Sequence, residues 1–206
     1  MIAIIDYGMG NAQSVKNALE LLGYEAEITR DEKIISSAEK LILPGVGAFR
    51  DGMKSLEKLG LIQILNREVL DKKKPIIGIC LGMQLLGKDS EESRGIKGLG
   101  WIDGHVKKLG SKEKSKGIKI PHVGWDNITI TRKDKLLAGV ADDSDFYFVH
   151  SYHLAPKDKE VMTSSCEYGE RFAATIQEGN VYGAQFHPEK SQSLGLKILE
   201  NFVEHA

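Results

Sequence analysis

The segment PIIGICLGMQLL, residues 75–86, constrains the fold more than any other in this chain. An uninterrupted apolar run leads into Gly78-Ile79-Cys80-Leu81-Gly82 and continues at the spacing of a helix. A continuous apolar strand marks a sheet covered on both faces. Gly-x-nucleophile-x-Gly at a strand-to-helix junction is the pattern of a nucleophile elbow, a sharp turn that exposes the middle side chain while small neighbours admit the crowded backbone. A cysteine that only fills space needs no glycine on either side. The start of a helix would also favour its thiolate form.

The segments before this one have the same grammar. IAIID (2–6), YEAEIT (24–29) and KLILPG (40–45) read as strands, and AQSVKNALELLG (12–23), a piece around 31–38 and the stretch 51–71 read as helices. Alternation of this kind predicts an α/β fold with a mostly parallel sheet flanked by helices. Beyond residue 95 shorter strand-like pieces follow, GWIDGHVKKL, IKIPHVGW and NITIT, with the Lys-rich GSKEKSKG (110–117) as a solvated hairpin or loop. They predict an antiparallel segment added to the main sheet. FYFVHSYHL (146–154), FAATIQEG (172–179) and VYGAQFHP (181–188) complete the strands, and SLGLKILENFVEHA closes the chain as a helix. With no repeat and no linker, the expectation is one domain over residues 1–206.

Composition narrows the function. With 28 Lys+Arg against 29 Asp+Glu, the formal charge of −1 gives no excess that would draw the chain to nucleic acid or an anionic membrane. The apolar runs are too short to span a bilayer, the start MIAIIDYGMGN lacks the pattern of a secretory signal, and two cysteines make no disulfide framework. The expected compartment is the cytoplasm. The histidines show no metal-ligand spacing, and GMGN is neither GxGxxG nor a P-loop, so no metal and no cofactor is assigned.

Two further segments supply what a thiol nucleophile needs. In FHPEK (186–190) an extended chain would put His187 and Glu189 on one side, a base with the carboxylate that orients it. In LPGVGAF (43–49) two glycines flank Val46, giving a loop whose amides can turn toward a developing negative charge. The expected oxyanion donors are the amides of Val46 or Gly47 and of Leu81. Together these parts describe acyl transfer through a thioester. Cys166, in TSSCEYGE, has no elbow and no base, and is read as structural.

IIDYGMGN, LPGVGAF, GICLGMQLL, SEES, PHVGWD, FYFVHSYH and GAQFHPEKS, in this order, make the whole chain resemble the class I glutamine amidotransferase family, and within it the glutaminase subunits of imidazole glycerol phosphate synthase. The resemblance implies that Cys80 attacks the carboxamide of L-glutamine, that His187 moves the proton to the leaving ammonia and that Glu189 orients His187. It implies that Gly45, Gln84, His150 and Ser151 hold the substrate, and that the Val46 peptide must turn to complete the oxyanion hole. It further implies a (β/α)8 cyclase subunit in a heterodimer, faced by Asn11, Trp125 and Lys190, with Trp125 on a Gly-Trp turn as an anchor. The family usually has Gly-Trp-Asn where this chain has Gly124-Trp125-Asp126. That places a carboxylate close to the implied partner surface; because relatives of such subunits also serve surface-sugar pathways, the resemblance leaves a sugar amidotransferase subunit as the alternative acceptor. A stand-alone thiol hydrolase and a non-catalytic regulatory module are the competing classes.

Overall fold

The computed structural model describes residues 1–110 and 117–206, so most of the Lys-rich loop expected at 110–117 lies outside the described residues. The first half alternates strand and helix: β1 (Ile2–Ile5), α1 (Ala12–Leu21), β2 (Ala26–Thr29), α2 (Glu32–Ser37), β3 (Lys40–Leu43), α3 (Phe49–Lys58), α4 (Leu61–Asn66), β4 (Ile76–Ile79) and α5 (Leu81–Leu85). The second half is strand-rich: β5 (Asp89–Ser90), β6 (Gly104–Lys108), β7 (His122–Ile130), β8 (Ser144–His150), β9 (Tyr152–Pro156), β10 (Met162–Glu167), β11 (Arg171–Glu178) and β12 (Val181–Ala184), then α6 (Gln192–His205).

One sheet of nine strands runs in the order β2-β1-β3-β4-β12-β11-β10-β7-β8, beside a small sheet β5-β6-β9. From β2 to β12 the neighbours are parallel, and from β12 onward they are antiparallel, so the added segment continues the main sheet. Every residue of β1, β4 and β12 is buried. Alternate side chains explain why: Ile2, Ile4, Ile42, Ile77 and Ile79 join the core under α1 and α6, while Ala3, Ile5, Leu41, Leu43 and Ile76 join the core under α2 to α5. Two apolar layers on one sheet require strands without a polar face.

Several boundaries differ from the sequence expectation. The helix expected over 51–71 is broken at Gly60, whose φ of 68° is the left-handed conformation that glycine adopts freely, and its last turn, Arg67–Asp71, widens into a π-helix. IKIPHVGW and NITIT share one strand, β7, so Trp125 lies within a strand and not on a turn. FYFVHSYHL is split: β8 belongs to the main sheet, β9 to the small one, and the chain changes sheets at Ser151. β10 was not expected at all. Its Thr163, Ser164 and Ser165 are buried, and Thr163 and Ser164 both bond the Thr175 hydroxyl on β11.

Candidate active site

The parallel strands β1, β3, β4 and β12 deliver their following loops to one edge of the sheet, the end at which α/β proteins place their ligands. β4 ends in Cys80, whose φ of 52° and ψ of −107° are strained for a residue with a side chain. The flanking glycines permit this turn by close approach. A Cβ on Gly78 would stand 2.7 Å from the Gly82 backbone, and a Cβ on Gly82 would collide with the Leu43 carbonyl oxygen of β3. The elbow is therefore wedged against the strands, and Cys80 at its corner, buried at 5% exposure, lines a cavity of about 450 Å³.

β12 brings the base. His187 Nδ1 lies 2.7 Å from Glu189 Oε1, and both side chains are fully buried. The pairing arises differently from the expectation: Pro188–Lys190 form a 3-10 turn, so it is a turn, not an extended strand, that folds Glu189 back onto the imidazole. Ser191 holds that turn to β8, accepting from Tyr147 N and donating to the His187 carbonyl, while His187 N donates to the Tyr147 carbonyl. Among the described residues His187 Nε2 has no hydrogen-bond partner at bonding distance, and it is the nitrogen left to face Cys80. Burial opposes a charge on this ring, but the neighbouring Cys80 and then Glu189 outweigh it and push the His187 pKa up to about 9. The sulfur, the imidazole and the carboxylate thus act on one another as a unit.

β3 leads to the glycine loop, and here the structure adds something the sequence does not carry. Val46 N donates to the Met9 carbonyl at 2.9 Å, and Leu81 N donates to the Gly45 carbonyl at 3.2 Å. Two of the expected oxyanion donors are thus occupied, and both through the single peptide that joins Gly45 to Val46. Turning that peptide over would break both bonds at once, freeing the Leu81 amide and swinging the Val46 amide away from Met9. Position 45 itself admits no side chain, because a Cβ on Gly45 would overlap the Tyr7 hydroxyl.

Val46, Gly47, Cys80, Leu81, Gln84, His150, Ser151 and Lys190 line one cavity, together with Glu92, Pro121, Val149 and Tyr152. His150 offers no free ring nitrogen: Nδ1 meets the Tyr152 carbonyl at 2.9 Å and Nε2 meets His122 Nδ1 at 3.1 Å. Its contribution to the cavity is the wall that it holds. Gln84 Nε2 donates to the same Tyr152 carbonyl at 2.8 Å. Asn11, expected at a partner surface, donates from Nδ2 to Glu189 Oε1 at 2.5 Å and so braces the orienting carboxylate. Trp125 does not line the cavity. It is 46% exposed on β7 with Val123, two residues away on the same face and 55% exposed, and its ring packs edge-on against Tyr147. Cys166 is a buried residue of β10, and burial first, then Asp126 and Glu167, push its pKa up to about 12.

Four further residues at the site carry no signal in the three motifs. Gln185 donates from Nε2 to Cys80 Sγ at 3.7 Å, and its position two residues before His187 was the only clue to it. Glu92 caps α3 by accepting from Phe49 N at 2.8 Å and brings a carboxylate to the cavity. Tyr7 is buried, its hydroxyl unpartnered among the described residues, and burial, then the charge of Cys80, push its pKa well above the usual phenol value. The fourth, His122, is bonded to both His150 and Asp126.

Comparison with known proteins agrees with this geometry. Residues 3–206 match the family described as glutamine amidotransferase class-I. The chain is 49% identical over 206 residues to imidazole glycerol phosphate synthase subunit HisH 2 of Methanococcus maripaludis, with all of both chains covered. It is 50% identical over 203 residues to subunit HisH of Moorella thermoacetica, covering 98% of this chain and 94% of that one. Among solved structures it is similar to a crystal structure of a glutamine amidotransferase, with a TM-score of 0.74 at 19% identity over 98% of this chain and 97% of the other. It is also similar to the structure of PurLQS from Thermotoga maritima, with a TM-score of 0.76 at 19% identity over 99% and 97% of the two chains. At that identity the structures bear on the fold alone.

Proposed function

This chain belongs to the class I glutamine amidotransferase family, and from that premise we propose that it is the glutaminase subunit of an imidazole glycerol phosphate synthase, acting in the cytoplasm in histidine biosynthesis. The observation that carries the reading is Cys80 on a strained elbow beside the buried His187–Glu189 pair, at the wall of a cavity large enough for an amino acid. Cys80 sulfur attacks the carboxamide carbon of L-glutamine. The imidazolium of His187 gives its proton to the leaving nitrogen, releasing ammonia and a γ-glutamyl thioester. His187, now neutral, takes a proton from water as it attacks the thioester, and glutamate leaves with the thiolate restored. Glu189, braced by Asn11, keeps Nε2 of His187 aimed at this exchange. In the cavity the Glu92 carboxylate suits the substrate ammonium, and Gln84 with the Val149–Tyr152 wall borders its side chain.

In the resting loop the Val46 and Leu81 amides are both engaged through the Gly45–Val46 peptide, so the oxyanion that develops as Cys80 attacks would lack these two donors. The turned peptide is the competent state. A partner that docks beside Val46 and stabilises that state would couple ammonia release to its own readiness, so that ammonia passes directly to the cyclase. The exposed Val123 and Trp125, linked to the triad turn through Tyr147, suit a (β/α)8 cyclase subunit in a heterodimer. Purified chain titrated with such a cyclase should bind it and hydrolyse glutamine. Binding and activation only by a sugar amidotransferase would keep the chemistry and replace the acceptor.

A further inference from the structure

Between Tyr152 and Asp126 runs an unbroken chain of three polar contacts: the Tyr152 carbonyl to His150 Nδ1 at 2.9 Å, His150 Nε2 to His122 Nδ1 at 3.1 Å, and His122 Nε2 to Asp126 Oδ2 at 2.7 Å. Both ends, a carbonyl and a carboxylate, are acceptors. Three hydrogen bonds need three protons, while two neutral imidazoles bring two. His150 cannot hold the extra one, since burial, against the pull of its bond to Tyr152 and with His122, His153 and His187 nearby, takes its pKa down to about 3. Its Nδ1–H therefore serves Tyr152, its Nε2 accepts from His122, and the third proton belongs to the His122–Asp126 pair.

We propose that His122 and Asp126 are positioning residues of the glutamine site: when His122 is protonated and bonded to Asp126, the chain that fixes His150, and through it the Val149–Tyr152 wall of the cavity, is complete. This rests on the reading of that cavity as the glutamine pocket. The wall matters because Val149 O also lies against the Cys80 sulfur, at 3.8 Å. His122 is built to be held still, lying flat between Tyr168, with centroids 4.0 Å apart, and Phe148 at 5.0 Å. The titratable groups around the chain are Asp126 on β7, His150 on β8, Tyr168 and Cys166 toward β10, and His153 and His187 beyond His150.

Burial draws the His122 pKa below the ordinary histidine value, with Asp126 pulling the other way. The sign follows. In acid the chain is complete; as pH rises past that lowered value toward neutrality, it is one proton short. His122 must then face Asp126 or His150 as acceptor against acceptor, and the wall loosens. An amide in place of the carboxylate removes the conflict, since an Asn Nδ2–H donates to a neutral His122 Nε2.

The test compares wild type with Asp126→Asn and His122→Phe, each with the cyclase subunit, in glutamine kinetics from pH 5.5 to 8, alongside imidazole ¹⁵N and backbone amide spectra of the free chain. The wild-type KM should rise about fivefold across this range, the worth of one lost hydrogen bond. Asp126→Asn should hold KM nearly level with pH, and His122→Phe, which keeps the ring stack, should raise it at every pH, with kcat affected less than KM. In the spectra, the amides of Val149–Tyr152 should follow the His122 titration in wild type and stop doing so in Asp126→Asn. Superimposable KM profiles for wild type and Asp126→Asn, or wall amides indifferent to His122, would overturn the proposal. Absence of glutaminase activity in wild type would refute the functional reading instead, and the spectra would still decide whether the chain holds the wall.

Discussion

Among single residues, glutamine hydrolysis depends first on Cys80 and on what surrounds its sulfur. Cys80→Ser should reduce glutamine hydrolysis at least about 1000-fold, as expected when a covalent nucleophile is removed, and leave partner binding intact. Cys166→Ser should retain turnover, because that thiol is buried away from the cavity and burial disfavours its thiolate. A dead Cys166→Ser enzyme with a live Cys80→Ser would exchange the two roles. His187 offers an independent reading of the same unit. Its imidazole should titrate near 9 by ¹⁵N spectroscopy, and in Cys80→Ala the midpoint should fall, since the sulfur supplies part of what raises it. A raised imidazole contributes stability in full below its ordinary value of about 6.5 and loses it as pH rises through 9. Wild type should thus lose more stability between pH 7 and 10 than His187→Asn. Of these residues, Cys80, His187 and Glu189 were singled out by local pattern, because an elbow and a His-x-Glu pair are short-range features, although the pair is made by a turn where the sequence suggests an extended chain. Gln185, Tyr7 and His122 were not, because their roles depend on strands far apart in the chain meeting at one edge.

At the scale of elements, what could be read followed from where the polar groups go. β1, β3, β4 and β12 were plain in the sequence since burial on both faces leaves almost only apolar residues, with Lys40 at the start of β3 the charged exception. β10 was invisible because its buried hydroxyls satisfy one another across the ladder to β11, leaving no hydrophobic pattern to find. The break at Ser151 was hidden for another reason: FYFVHSYHL keeps its alternation through the change of sheet, and only the bond from His150 to Tyr152 reveals the corner. The occupied oxyanion donors depend on Met9 and Gly45 meeting around Val46, which no local pattern encodes. A second test at this scale lies on the far side of the sheet. The side chain of Glu68, in the π-helical turn, is fully buried and gathers Ser36, Arg67, Lys72 and Lys74. Burial opposes its charge, yet these partners outweigh it and hold its pKa near 2. Glu68→Gln should destabilise the fold by about 3 kcal/mol, since it leaves the mostly buried Lys74 ammonium without its counter-ion. Denaturant unfolding at pH 7 measures this, and the stability that Glu68 supplies, present above the ordinary carboxylate value, should vanish as pH falls through 2. Glutamine turnover near neutrality should change little.

At the scale of the whole molecule, the sheet continues without interruption from the parallel half that carries Cys80 into the antiparallel half that carries Trp125, which supports reading residues 1–206 as one domain. Among the described residues no helix is long and apolar enough to cross a membrane. Trp125→Ala should weaken cyclase binding by about 2 kcal/mol if the ring is an anchor at the centre of the interface, a change that calorimetry resolves, while the isolated chain folds as before. The central claim is that this chain is a glutaminase whose oxyanion hole is completed only when the Gly45–Val46 peptide turns. Its most direct test is the rate of glutamate release by the purified chain, alone and then with a (β/α)8 cyclase holding its imidazolecarboxamide substrate. Stimulation of roughly 100- to 1000-fold, the worth of an oxyanion donor, is the predicted result; equal rates with and without the loaded partner would contradict it.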